Sequence, residues 1–224
     1  MMLQITPIQS QSAIITSNCY LVRNTAGFFL IDTGIAKSRA KLLDHLQATG
    51  CHPGDLKLIL LTHGDLDHIG NAAFLRQKFS SRIAMQREDQ VNTESGDMFA
   101  NKSANPVAKA IARALFFLFR YSVIDRFTPD VLLEDGQELA SFGLDAVTIH
   151  VPGHSKGSIA FLTGEGDLFC GDLLENTKKP SLNSLADDPA QLKASFERLK
   201  GYGIKKVYPG HGNPFAWDEL IQQL

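Results

Sequence analysis

Residues 60–71 read L-L-T-H-G-D-L-D-H-I-G-N. Four side chains able to bind a metal, His63, Asp65, Asp67 and His68, fall within six positions of this segment. The apolar run before it, Leu56 to Leu61, is too short for a helix and reads as a strand. After it, Gly70 to Phe79 reads as a helix with Ala73, Phe74 and Phe79 available for packing. The cluster therefore belongs on a strand-to-helix loop, where α/β folds usually carry chemistry because the carboxyl ends of strands open into a crevice. Crowded carboxylates repel one another, so each should titrate above its ordinary range unless a divalent cation among them holds them ionised.

Upstream, Leu3 to Asp32 holds three β-favouring runs, the last two separated by Asn and Gly, as in an antiparallel meander. Asp32-Thr33-Gly34 follows, and Lys37 to Gln47 then places Ala40, Leu43 and Leu46 on one helical face before Gly50. Downstream, Arg82 to Met85 reads as a short strand and Gln86 to Asn105 as a polar excursion from the core. Asn105 is suited to cap a helix with Pro106 in its first turn, running to about Tyr121. Lys109, Arg113 and Arg120 fall on one stripe of that helix and Leu115 to Phe119 surround the rest, so it needs cover on more than one side. Beyond Pro129 β character returns at Val131 to Leu133, Gln137 to Ala140, Ala146 to Val151, Ser158 to Leu162 and Leu168 to Cys170. A helix opens at Asp188-Pro189 with Leu192, Phe196 and Leu199 on one face; a short strand follows at Lys206 to Tyr208 and a terminal helix at Phe215 to Leu224. In each half strands precede helices, which argues for two packed sheets with helices outside.

Composition sets outer bounds. The 224 residues suffice for one large domain, expected to span 1–224, and a formal charge of -2 offers no electrostatic footprint for nucleic acid. Cys19, Cys51 and Cys170 show no paired spacing, which fits a reducing, cytoplasmic compartment. The amino terminus lacks the pattern of a signal peptide, and no run is long and apolar enough for a membrane span.

Three more candidate ligands share a local setting: His154 in V-P-G-H-S-K-G-S, Asp172 in F-C-G-D-L-L-E and His211 in Y-P-G-H-G-N-P. Each follows a glycine that should end an apolar strand, where the backbone can turn sharply and bring a short side chain to the end of the sheet. In the order Asp32, His63 to His68, His154, Asp172 and His211, these landmarks resemble the metallo-β-lactamase fold superfamily, which includes glyoxalase II, lactonases, ribonuclease Z and the zinc β-lactamases. The resemblance covers about Ile14 to Asn213. It implies a four-layer αβ/βα sandwich of two mixed β-sheets with helices on the outer faces.

By that resemblance His63, Asp65 and His154 hold one metal, Asp67, His68 and His211 hold the other, and Asp172 bridges them. Asp32 lies behind the ligands and orients their loop; a turn Asp capping the next helix is its plainer reading. The implied cofactors are two divalent ions, zinc first. The family usually has histidine where this chain has Asp65, and a harder oxygen ligand shifts preference towards manganese or iron. With two ions and a hydroxide, three carboxylates leave the centre neutral where the usual histidine would leave it positive, so lower Lewis acidity is expected. The implied function is hydrolysis of a small ester-like substrate, thioester or lactone favoured, by a hydroxide shared between the metals, with Asp67 and Asp172 as the catalytic carboxylates. Alternatives on the same site are a phosphodiesterase, an iron-dependent sulfur dioxygenase and a non-catalytic ligand-sensing protein. The short stretch after His211 counts against glyoxalase II itself.

In this superfamily loops and helices over the metals form the pocket, so a helical insert at about 86–129 is expected to choose the substrate. The 107–121 helix has three readings: a lid that favours acyl or lactone groups, a homodimer interface, or, less favoured, a membrane-surface element. His45, His52 and His150 read as surface or strand residues, Cys170 as a buried strand residue, and Lys156 and Ser158 as polar residues near the cleft edge.

Overall fold

The computed structural model describes residues 3–12, 15–103, 105–118 and 125–223. The amino-terminal half runs β1 Gln4–Gln11, β2 Thr16–Asn24, β3 Gly27–Ile31, α1 Arg39–Ala48, β4 Leu56–Leu60, α2 Leu66–Ile69, α3 Ala72–Phe79, β5 Arg82–Gln86, α4 Gln90–Ser95 and α5 Pro106–Leu118. The remainder runs β6 Val131–Leu133, β7 Ala146–His150, β8 Ile159–Thr163, β9 Asp167–Asn176, β10 Ser181–Leu182, α6 Pro189–Leu199, β11 Lys206–Gly212, β12 Phe215–Ala216 and α7 Trp217–Ile221. The first sheet is six-stranded in the order β1-β2-β3-β4-β5-β6. Its first three strands are antiparallel and the rest join in parallel. The second sheet has the order β12-β11-β9-β8-β7 with β10 also on β9, and it too mixes parallel and antiparallel pairs.

Alternation along the strands builds the layers. Tyr20, Val22, Phe29, Ile31, Leu58 and Leu60 of the first sheet meet Ile159, Phe161, Phe169 and Tyr208 of the second in a shared interior. The other face of the first sheet packs on Leu42, Leu46, Leu75 and Phe79 of α1 and α3. The other face of the second packs on Leu192, Phe196, Leu199 and Leu220 of α6 and α7. This is the expected sandwich, with helices outside both sheets. Asp188 caps α6 as its sequence suggested, accepting from the amides of Ala190 and Gln191, both at 3.0 Å.

Several local expectations are corrected. In α1 the buried face is Leu42 and Leu46, while Ala40 is exposed and Leu43 packs at the margin; a 3-10 turn at Ala36–Ser38 precedes the helix. In α3 it is Ala72, Leu75 and Phe79, while Ala73 and Phe74 pack at the margin. Gln137 to Ala140 forms no strand: one bridge joins Glu138 to Val147, and a 3-10 turn at Ala140–Phe142 interrupts the extended chain. Nor do the glycines before Asp172 and His211 end their strands. Gly171, at φ +50°, kinks β9 while the pairing with β11 slips register, and both strands run on past the glycine. Asn105 does receive the amide of Val107 on its side chain at 2.8 Å, and α5 follows; the expected extension from Phe119 to Tyr121 lies outside the described residues. No helix among the described residues is long and apolar enough to cross a membrane.

Candidate metal centre

All seven candidate ligands converge at one end of the sandwich, and both sheets supply them. His63 and Asp65 lie in the loop leaving β4, while Asp67 and His68 lie within α2, which begins sooner than the sequence suggested. Asp65 caps that short helix through its carbonyl, which accepts from the amides of His68 at 2.9 Å and Ile69 at 3.1 Å. From the second sheet come His154 in the turn between β7 and β8, Asp172 inside β9 and His211 inside β11. A Cβ at Gly210 would collide with the Asp172 carboxylate and stand 2.8 Å from His68 Cε1, which accounts for the glycine before His211.

Two pockets share a wall. In the first, Asp65 Oδ2 is 3.1 Å from His154 Nε2 and 3.9 Å from His63 Nε2. In the second, Asp67 Oδ2 is 3.5 Å from His68 Nε2 and 3.6 Å from His211 Nε2. Asp172 reaches both: its Oδ1 is 3.3 Å from His68 Nε2, and its Oδ2 is 3.1 Å from His211 Nε2 and 3.7 Å from His154 Nε2. Within each of three groups, His63-Asp65-His154, His63-His68-Asp172 and Asp67-His68-His211, the candidate ligand atoms all lie within 4.8 Å of one another.

The four rings are held from behind in the same way. His68 Nδ1 donates to Asp32 Oδ2 at 2.8 Å, His154 Nδ1 to the Leu185 carbonyl and His211 Nδ1 to the Thr16 carbonyl at 2.6 Å. Thr62 Oγ1 donates its one proton to Asp32 Oδ2 at 2.8 Å and so must accept from His63 Nδ1 at 2.9 Å. Every Nδ1 thus carries a hydrogen, and every Nε2 turns inward as a metal-binding nitrogen should. Asp32 takes up left-handed backbone at φ +56°, unusual outside glycine, and its other oxygen accepts from the Thr62 amide at 2.8 Å. It therefore acts on both His63 and His68, beyond the helix-capping reading.

Several inward-facing atoms lack hydrogen-bond partners in the protein. His63 Nε2, Asp65 Oδ1, His68 Nε2 and Asp172 Oδ1 are buried without hydrogen bonds. An unpaired buried polar atom costs roughly 1–3 kcal/mol, so several in one cleft call for something between them. Nitrogen and carboxylate donors in this arrangement fit divalent ions.

The electrostatics depart from the expectation that all three carboxylates titrate high. Asp67 is raised, by burial and by Asp172 despite His68. For Asp65 burial pushes upward, but Lys102, His154 and His63 outweigh it and hold the carboxyl well below the usual range. Asp172 is likewise held low, burial being overcome by His68 and His211. The histidines show the reciprocal effect. Burial lowers His211, yet Asp172 outweighs it and lifts the ring to about 9, and His68 and His154 are also raised by their carboxylates. His63 is lowered by burial and by His68.

Two residues escaped the sequence reading. Lys102 brings its ammonium 3.2 Å from Asp65 Oδ2 and 3.3 Å from the His154 carbonyl, with 12% of its side chain exposed. Its signal was indirect: an extra buried carboxylate at position 65 demands a cation. Asp89 is fully buried. Its Oδ2 accepts from Gly64 N at 2.8 Å and Ser155 Oγ at 2.7 Å, and its Oδ1 from Gly157 N and Asn101 Nδ2, both at 2.8 Å. It ties the His63 loop, the His154 turn and the Lys102 segment together. Asn92 and Thr93 are buried beside it, so the polar excursion at Gln86 to Asn105 carries a buried polar patch.

Several of the set-aside residues have partners of their own. His45 is held by the Lys41 carbonyl at 2.8 Å, and His150 Nε2 by the Lys156 carbonyl at 2.8 Å. Burial pushes the Cys170 thiol up to about 12, which leaves it inert. Ser158 turns inward to Ser155 Oγ at 2.8 Å.

The sandwich and its cleft of histidines and aspartates define a metallo-hydrolase-like architecture. The metallo-beta-lactamase superfamily profile matches residues 15–211, and the chain belongs to that family. It is 29% identical over 196 residues to a hydroxyacylglutathione hydrolase of Aeromonas hydrophila, covering 86% of this chain and 59% of the relative. With the acyl-coenzyme A thioesterase MBLAC2 of Gallus gallus it shares 25% identity over 220 residues, 92% of this chain and 76% of that one. Among solved structures, TTHA1623 in a di-iron-bound form superposes with a TM-score of 0.73 at 30% identity, covering 97% of each chain. The chain spans only 50% to 59% of the length of three hydroxyacylglutathione hydrolases it matches.

Proposed function

We propose that this protein is a metal-dependent hydrolase of a small ester-like substrate, with thioester ahead of lactone. The observation that carries the reading is the inward convergence of His63, His68, His154 and His211 through Nε2 on three carboxylates, with four buried donor and acceptor atoms left unpaired. His63, Asp65 and His154 would hold one divalent ion and Asp67, His68 and His211 the other, with Asp172 shared. Such ions supply an acidified water at neutral pH and polarise the oxygen of the group under attack.

The protein's own residues do the rest. Asp67 and Asp172 serve as the catalytic carboxylates: Asp67 orients the attacking water and takes its proton, while Asp172 keeps the two pockets in register. Asp32 and Thr62 fix the ring planes of His68 and His63. A thioester is supported by the relative named as an acyl-coenzyme A thioesterase. The apolar face of α5, where Val107, Ile111 and Leu115 are exposed, offers a surface for such an acyl group. Zinc, manganese and iron all accept the nitrogen and oxygen donors present, with zinc first and the di-iron relative favouring a place for iron.

Metal analysis of protein purified without added metal should find close to two ions per chain. Activity should then rank acyl thioester and lactone above aryl ester and phosphodiester. A protein that retains no metal would refute the reading. Turnover of phosphodiester alone would move the site to the competing substrate class, and one tightly held iron with oxygen consumption would make it a dioxygenase.

A further inference from the structure

Position 65 carries a carboxylate within the first pocket, and the nearest cation comes from a different part of the chain. Lys102 Nζ contacts Asp65 Oδ2, the same oxygen that faces His154 Nε2 and His63 Nε2, and it also contacts the His154 carbonyl. One ammonium therefore touches two members of the first pocket. The pair is dry: the exposed fractions of the side chains are 12% for Lys102 and 8% for Asp65. A buried ammonium survives only beside a partner, and a buried carboxylate likewise.

Lys102 is also held in place by its neighbours. Asn101 donates through Nδ2 to Asp89 Oδ1 and to the Glu88 carbonyl, each at 2.8 Å, and its amide donates to Asn92 Oδ1 at 3.3 Å. On the other side the Ser103 amide donates to both oxygens of Asp187 at 2.9 Å. The backbone is clamped on either side of position 102, so the ammonium is aimed before any ligand arrives.

We propose that Asp65 and Lys102 work as one unit that gives the first pocket a formally neutral oxygen ligand, with Lys102 as the positioning residue that sets how strongly and how selectively this pocket binds its ion. The inference rests on the metal-dependent reading above. Its physical basis is the sum of charges. A carboxylate alone would make the first pocket more negative than a neutral imidazole would; the ammonium cancels that charge and draws electron density from Oδ2. The lower Lewis acidity expected from Asp65 alone is thereby offset. Lys102 also restrains the free rotation of the carboxylate, leaving the unpaired Oδ1 as its remaining acceptor.

The signature is non-additivity between positions 65 and 102. Binding of zinc and manganese to chelator-stripped protein, read by competition with a chromophoric chelator, separates the two ions. Lys102→Met should bind the ion of the first pocket at least about tenfold more tightly and favour manganese over zinc relative to the parent, because a full negative charge is uncovered. Asp65→His should hold only one ion per chain, since the ammonium then faces a dication across a neutral ring. Asp65→His with Lys102→Met should again hold two. Lys102→Arg, which keeps the charge, should stay near the parent.

Thermal melts add a readout independent of activity. Lys102→Met should lower the melting temperature clearly in stripped protein, where Asp65 loses its partner, and little in loaded protein; Lys102→Gln provides a second variant of different shape. Parent protein that binds no ion would overturn both this inference and the metal-dependent reading. Parent protein that binds two ions, with Lys102→Met unchanged in affinity and selectivity or with Asp65→His still binding two, would overturn this inference alone.

Discussion

The second pocket is backed by strands. Asp32 at the end of β3 holds His68, the Thr16 carbonyl at the start of β2 holds His211, and Ser17 donates to the Asp67 carbonyl at 2.7 Å. Asn18 and Tyr20 of β2 donate to the Pro209 carbonyl at 3.1 and 2.6 Å, fixing the approach to His211. The first pocket shares that support at His63, through Thr62, but otherwise leans on connections: Asp89 and Lys102 come from the segment between β5 and α5, and the Leu185 carbonyl behind His154 comes from the segment between β10 and α6. A pocket framed by a sheet can change little without unmaking the sheet. One framed by connections can change its chemistry locally, and it is there that this chain carries Asp65.

The largest predicted effect removes what the pockets share. Asp172→Ala should reduce kcat/KM by more than about 100-fold, since even residues behind metal ligands are worth 10- to 100-fold. It should also lower the bound metal below two ions per chain; parental turnover would show that the two pockets work independently. Asp32→Asn should next weaken the second pocket, by about 10- to 100-fold in metal affinity, because its NH2 group must oppose either the Thr62 amide at the Oδ1 position or both His68 Nδ1 and Thr62 Oγ1 at the Oδ2 position. Competitive chelation would sink the strand-backed account if the first pocket were instead the weaker of the two. Asp89→Asn tests the connection-backed side. Replacing one acceptor oxygen by an NH2 group opposes donors from two segments, at about 1–3 kcal/mol of stability, with the ion of the first pocket lost first. Denaturant unfolding and metal counting read both.

The smallest effect is in pH. In metal-free protein His211 is raised to about 9 from an ordinary 6.5, so its contribution is complete below about 6.5 and is lost as pH rises through about 9. His63, lowered by burial and His68, has the opposite sign: it destabilises as pH falls below 6.5. Melting temperatures of stripped protein should therefore fall at both ends, with His211→Ala flattening the alkaline limb and His63→Ala the acid one. Identical limbs in the two variants would erase this distinction between the two rings.

The candidate ligands were legible because their signals are local. H-x-D-x-D-H and the glycine before each of His154, Asp172 and His211 are read within a few residues, and the strand alternation that delivers them has period two. Asp89 and Lys102 have no such pattern. They are ordinary polar residues in a polar stretch, and only the folding of that stretch onto the loop of His63 makes one a staple and the other a counter-charge. The faces of α1 and α3 were only partly legible, since the period of a helix does not say which phase of it the sheet will cover. Asp172 was assigned to a strand end because Gly171 reads as a stop, whereas in three dimensions it is a kink inside a continuing strand.

The supply of ligands from both sheets has a mechanical side. His63, Asp65, Asp67 and His68 ride on the first sheet, and His154, Asp172 and His211 on the second. Ions gripped by both sets would act as a rivet at one end of the sandwich, fastening layers that elsewhere meet through side chains such as Phe29, Phe161 and Phe169. Chelation would then be felt far from the cleft, as faster amide exchange along the facing strands β3 and β8, and the shear stiffness of the sandwich would depend on metal supply.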